Sequence, residues 1–171
     1  MDPALRQQAK EFLLGIPVFG GLPDPTMDRL LDVMQMRGFR AGETVCREAE
    51  LGREMFVVRA GLVDVCKRAA SGQPGTGRET VLAQLKAGDC FGEMSLIDVQ
   101  PRSATVLARE PTELYVLTNM DLYKLYEQDL SGYTFLVQNI CRELSRRLRR
   151  ADGIIADFFL RLEEYVTRVV E

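Results

Sequence analysis

The apolar positions of this chain change period twice. In "ALRQQAKEFLL", residues 4–14, they recur at helical spacing, and Gly15 and Pro17 end the run. After Pro25, "TMDRLLDVMQM" sets Met27, Leu30, Leu31 and Met34 on one face, which predicts a second helix reaching Met36. From about Gly38 the period shortens. "ETVC", "MFVVRAG", "LVDVCKR", "ETVLAQL", "SATVLAR" and "ELYVLT" are rich in β-branched residues and punctuated by Gly42, Gly52, Gly61 and Gly88. Short strands at this spacing predict an antiparallel sandwich or roll. "AASGQPGTGRE" reads as a polar hairpin loop between two of them.

Helical spacing returns at Asn119 with "NMDLYKLYEQ". After Ser131-Gly132 comes the longest periodic segment, starting at about residue 132. Its apolar side chains fall at Val137, Cys141, Leu144, Leu148, Ala151, Ile155, Phe158, Leu162, Tyr165 and Val169. Steps of four and three alternate without a break, which is a heptad seam. A helix this long outruns a small β domain at about 1.5 Å per residue. The seam therefore predicts pairing with an identical helix over residues 137–169, with a bend at Gly153, where glycine weakens the helix. The expected fold class is α+β. An antiparallel eight-stranded, jelly-roll-like β-roll (37–118) is flanked by N-terminal helices (1–36) and by C-terminal helices (119–171), the last a dimerisation helix.

Composition narrows the function. At 171 residues, with 46% hydrophobic and 27% charged residues, the chain suits one folded domain with a real core. A net charge of −3 gives no general attraction to nucleic acid or anionic membrane. The start, "MDPALRQQAK", lacks a signal-peptide pattern, and no apolar run approaches bilayer length, so a cytoplasmic location and no membrane partner are expected. Cys46, Cys66, Cys90 and Cys141 form no CxxC pair and read as free thiols, without a zinc or iron–sulfur site. Histidine is absent. That removes Ser–His and Cys–His nucleophile pairs and most catalytic metal sites, so no metal, no cofactor and no catalytic residue is expected.

Chemistry concentrates in "FGEMSLIDVQPRSATV", residues 91–106. Gly92 lets a ligand approach the backbone closely. "EMSLID" suits a short helical turn whose free N–H groups favour an anion. Arg102 presents a planar fork to two phosphate oxygens, beside the hydroxyl of Ser103 and the unobstructed N–H of Ala104. Glu93 would repel a phosphate, and its two acceptor oxygens suit a sugar hydroxyl instead. The combination fits a ribose phosphate.

This stretch resembles the phosphate-binding cassette of cyclic-nucleotide-binding domains, of the type in the bacterial catabolite activator, the regulatory subunit of protein kinase A and nucleotide-gated channels. The matching residues are Phe91-Gly92-Glu93, Ser95-Leu96 and Pro101-Arg102-Ser103-Ala104-Thr105. The likeness extends from "VFGGL" at Val18 through "VVRAGLVDV" and "LKAGDCFGE" to the long helix. It implies that Glu93 holds the ribose 2′-hydroxyl and Arg102 the cyclic phosphate. Phe91, Gly92, Met94, Ser95, Ser103 and Ala104 supply the surrounding contacts, Val65 and Leu82 wall the base, and Asp152 on the long helix meets the base edge. Ala49 in "REAELG" departs from the family, which has glycine there, and puts that turn in question. With serine rather than threonine after Arg102, the resemblance favours cAMP, with cGMP the alternative.

Three functions compete. The first is a non-enzymatic sensor that transmits cyclic-nucleotide binding through its C-terminal helix. The second is a catabolite-activator-type transcription regulator truncated before its helix-turn-helix, a module that would need about 60 more residues. Nucleic acid is not expected as a partner of this chain alone. The third, a cupin-like enzyme, needs a His-rich metal site that a chain without histidine does not offer. "GTGRET" lacks the third glycine of a nucleotide loop and reads as a surface turn, and the arginines of "CRELSRRLRR" read as a solvated helix face.

Overall fold

The computed structural model describes residues 2–68, 79–98 and 100–170. Helices α1 (Pro3–Leu14) and α2 (Asp24–Val33) precede eight strands, and α4 (Asn119–Gln128) and α5 (Leu130–Val170) follow them. The strands are β1 (Gln35–Phe39), β2 (Thr44–Cys46), β3 (Glu54–Ala60), β4 (Leu62–Arg68), β5 (Glu79–Lys86), β6 (Cys90–Phe91), β7 (Thr105–Ala108) and β8 (Thr112–Thr118). A four-residue helix α3 (Met94–Ile97) interrupts them after β6. Two four-stranded sheets result, in the orders β1-β8-β3-β6 and β2-β7-β4-β5. All strand pairs are antiparallel. This is the α+β roll that the alternating runs predict. The loop "AASGQPGTGRE" falls largely outside the described residues.

Strand β3 explains why "MFVV" is apolar without a break. Phe56 and Val58 point into the roll, where they meet Val63, Phe91, Val106, Leu114 and Val116. Met55 and Val57 point the other way, into a second core with Leu13, Met27, Leu30, Leu136 and Ile140 of the helices and Phe19 of the turn between α1 and α2. A strand covered on both faces has no polar side to show. Each fully buried Leu, Val or Phe contributes roughly 1.5–3 kcal/mol by leaving water.

Two boundaries differ from the sequence expectation. Helix α2 ends at Val33, not Met36, because the backbone turns extended at Met34 and Gln35–Phe39 pairs with Thr112–Val116 of β8. The roll therefore starts at Gln35. Helix α5 begins at Leu130, with Gly132 inside its first turn. The Asp129 carboxylate accepts from the Gly132 N–H at 2.9 Å and from the Thr26 hydroxyl at 2.6 Å, which caps the helix and ties it to α2. The Thr26 hydrogen bond chiefly lowers the Asp129 pKa. A Cβ at position 132 would collide with Thr26, so only glycine packs there. Helix α5 runs unbroken through Gly153.

Candidate functional site

A cavity of about 490 Å³ opens between the β2-β7-β4-β5 sheet, the segment 91–106 and one face of α5. Local sequence builds the segment. Gly92 adopts φ +76°, a left-handed conformation that suits glycine, and a side chain there would strike the Arg102 guanidinium and lie 2.8 Å from the Glu54 carbonyl. Ser95 and Leu96 then donate their N–H groups to the carbonyls of Gly92 and Glu93, both at 3.1 Å, which closes the turn into α3.

Arg102 is buried, at 8% exposure. Its Nη1 donates to Ser95 Oγ at 3.0 Å and to the Gly92 carbonyl at 3.5 Å. Its guanidinium lies 5.4 Å from the centroid of the Phe56 ring, which stacks on Phe91 at 5.0 Å. Its main chain is clamped by the turn before β3. Arg102 N donates to the Glu50 carbonyl at 2.8 Å and Ala49 N to the Arg102 carbonyl at 2.9 Å. Gly52 in the same turn leaves room for the guanidinium, since a Cβ there would overlap it. Ala49 takes φ +67°, so the turn keeps the left-handed geometry of a glycine despite the alanine. Among the described residues no carboxylate pairs with Arg102. A buried guanidinium without an anion is costly, and here it faces a cavity.

Glu93 is buried too, at 3% exposure, and it does not pair with Arg102. Its Oε1 accepts from Arg147 Nη1 of α5 at 3.1 Å, while its Oε2 is buried with no hydrogen-bond partner. The Arg147 fork is fully engaged. Nη2 donates to the Cys90 carbonyl at 2.7 Å and Nε to Glu143 at 3.0 Å. Burial would raise the Glu143 carboxyl, but hydrogen bonds from Arg146 and Arg147 outweigh it and hold the pKa below the ordinary value. Burial pushes the Cys90 thiol up to about 11 against the opposing charge of Arg147, so it stays protonated and unreactive.

Phe91, Gly92, Glu93, Met94, Ser95, Arg102, Ser103, Ala104 and Val65 all line this cavity. Two candidates do not. Leu82 is 60% exposed, because it alternates along β5 with Ala83 and Leu85, whose side chains face the cavity. Val65 pairs with Ala83 and Cys66 with Val81, so Leu82 is the extra residue of a bulge and the parity of the strand flips. Ala83 and Leu85 form the wall instead. Asp152 is exposed, on the side of α5 that turns away. The face that enters the cavity carries Glu143, Arg147 and Arg150, and two residues beyond Arg150 is about 200° around the helix.

Those three residues are what sequence reasoning missed, since it assigned the arginine-rich run to solvent. The available signal was their spacing of four and three in register with the buried Leu136, Asn139 and Ile140. Asn139 shows the same docking one turn earlier, donating to the Val18 carbonyl at 3.2 Å and the Gly20 carbonyl at 3.0 Å. Among the described residues no cluster of His, Cys, Asp or Glu suits a metal ion, and no helix is long and apolar enough to cross a membrane.

A family model described as the cyclic nucleotide-binding domain matches residues 36–129. Over 138 residues the chain is 35% identical to the cyclic AMP receptor protein of Thermus thermophilus, covering 81% of this chain and 60% of that protein. It is 33% identical over 115 residues to a cAMP-dependent protein kinase regulatory subunit of Mycosarcoma maydis, covering 66% of this chain and 21% of that protein. The crystal structure of the Thermus thermophilus catabolite activator protein superposes with TM-score 0.70 at 33% identity, covering 81% of this chain and 61% of that one. A cyclic nucleotide-binding domain from Methylobacillus flagellatus superposes with TM-score 0.75 at 26% identity, covering 90% and 84%.

Proposed function

Because the chain belongs to the cyclic nucleotide-binding domain family, we propose that it is a non-enzymatic sensor that binds cAMP in preference to cGMP and passes the event to α5. The carrying observation is the pair of buried groups left open on the cavity, Arg102 without an anion and Glu93 Oε2 without a donor. On this reading Arg102 takes the cyclic phosphate, with Ser103 and the backbone at Gly92, Ser95 and Ala104. Glu93 Oε2 accepts from the ribose 2′-hydroxyl, and Val65, Ala83 and Leu85 wall the base. The names of the relatives from Thermus thermophilus and Mycosarcoma maydis support cAMP as the ligand.

Transmission follows from the two oxygens of Glu93. One holds Arg147 of α5 and the other is open to the ligand. Occupancy of the second biases the geometry of the first, and with it the seat of α5 on the roll. The reading also has α5 joining two chains into a homodimer through residues 137–169. It places the protein in the cytoplasm, where cysteine thiols stay reduced. The second reading, part of a catabolite-activator-type regulator, is favoured by the Thermus thermophilus likeness, of which this chain spans 60%. Titration calorimetry with cAMP and cGMP, on wild type and Arg102→Ala, tests the function. Tighter cAMP binding that collapses in Arg102→Ala is expected. Equal affinity in the variant overturns the site, and tighter cGMP overturns the choice of base.

A further inference from the structure

The outer half of α5 shows more apolar surface than one partner helix covers. Beyond Arg150 it leaves the roll, and every large apolar side chain described there is exposed. With Ile155 and Leu162 at the a positions of the heptad and Phe158 at d, Phe159 and Val166 fall at e and Ile154 at g. Each of these three flanking residues is more than half exposed. At about 100° per residue, Ile154 through the seam to Phe159 makes one apolar arc of about 140°. A two-stranded coil buries the narrower a/d stripe and leaves e and g to charged residues that pair across the seam. A face that adds e residues to a and d is the pattern of a helix in a bundle.

Charge narrows the occupant. On residues 148–166 the charges are Arg149, Arg150 and Arg161 against Asp152, Asp157, Glu163 and Glu164. A polar face of mixed sign with a slight acidic excess has no pull toward anionic lipid, whereas an interfacial membrane helix is rich in Lys and Arg. Two-fold dimers also double most readily into a closed tetramer. We infer that the outer halves of α5 from four copies of this chain pack as a four-helix bundle, the a/d seam forming each dimer and the e flank at Phe159 and Val166 joining two dimers.

This rests on the proposed α5 homodimer, and the test separates the two. Light scattering of the full chain at micromolar concentration is expected to give four protomers for wild type. Phe159→Glu/Val166→Glu is expected to give two, and Ile155→Glu/Leu162→Glu one. Helix content by circular dichroism checks that each variant folds, and Phe159→Gln/Val166→Gln serves as a milder version of the first. A wild-type mass of two protomers that falls to one in the a-position variant overturns the bundle and leaves the dimer standing. A wild-type monomer overturns both. A tetramer that the e-position variants leave intact overturns the assignment of the flank.

Discussion

The two walls of the cavity are built by opposite routes. The cassette wall is local. Its glutamate and arginine stand nine residues apart in one segment, and glycines beside them leave the space that the arginine fills. The α5 wall is remote. Arg147 reaches Glu93 across 54 positions of sequence, and only after Leu136 and Ile140 have docked the helix on the roll. The cassette wall offers unpaired groups to the cavity, while the α5 wall arrives already paired. On the proposed reading the first binds and the second reports, since its contacts are those a change at Glu93 would disturb.

The sharpest way to break that contrast is on the cassette side. Arg102→Ala is expected to lower nucleotide affinity about 100-fold or more, the scale of losing a desolvated charged contact. Stability without ligand should change by no more than about 1 kcal/mol, because no buried carboxylate loses its partner. A large loss of stability with affinity intact would reverse the roles of the two walls.

On the α5 side the expected order is the opposite. Arg147→Met leaves Glu93, 3% exposed, without its cation. Because the Arg147 side chain is 35% exposed, the buried-pair cost is discounted to about 1–2 kcal/mol of stability by urea denaturation. Glu93→Gln in the same chain should recover part of it, and a coupling of zero in the double-mutant cycle would show that the pair does not hold the helix.

Acid sharpens the same point. The Glu143 carboxyl is held low in the folded protein by Arg146 and Arg147, against burial. Its stabilisation is therefore present above the ordinary carboxylate range and lost as pH falls through and below it. Glu143→Gln is expected to flatten the decline of melting temperature between neutral and acidic pH. An unchanged slope would mean that the α5 network does not titrate with folding. The smallest effect is at the cassette's clamp. Ala49→Gly relieves a left-handed alanine and should stabilise by about 0.5–1 kcal/mol. A destabilised variant would show that the turn gains nothing from glycine.

Residues within one segment were legible in the sequence because their chemistry is coupled through a few peptide units. Gly92, Glu93, Ser95 and Arg102 meet through the turn into α3 and the start of the next strand, and local residue types specify both. The strands and helices were legible for the same reason, as periods of two and of three to four. What misled was always a contact with another element. Met34 continues a helical pattern, yet the next residue is captured by β8. Leu82 sits in a strand pattern, but the register of β5 against β4 sets Ala83 and Leu85 beside Val63 and Val65 on the inward face and leaves Leu82 on the other. Asp152 and Arg150 are two residues apart on one helix, and which of them enters the cavity depends on how α5 rolls against its core.

By itself the sequence determined the roll, the flanking helices and the cassette with its glutamate, its arginine and the glycines around them. These follow from hydrophobic period and from steric room at named positions, which act over a few residues. Only the tertiary structure decided that Glu93 is shared with Arg147, that Ala83 and Leu85 replace Leu82 on the wall, and that Glu143, Arg147 and Arg150 face the cavity. Each of those depends on the register of a strand or the rotation of a helix. Packing between distant segments sets both.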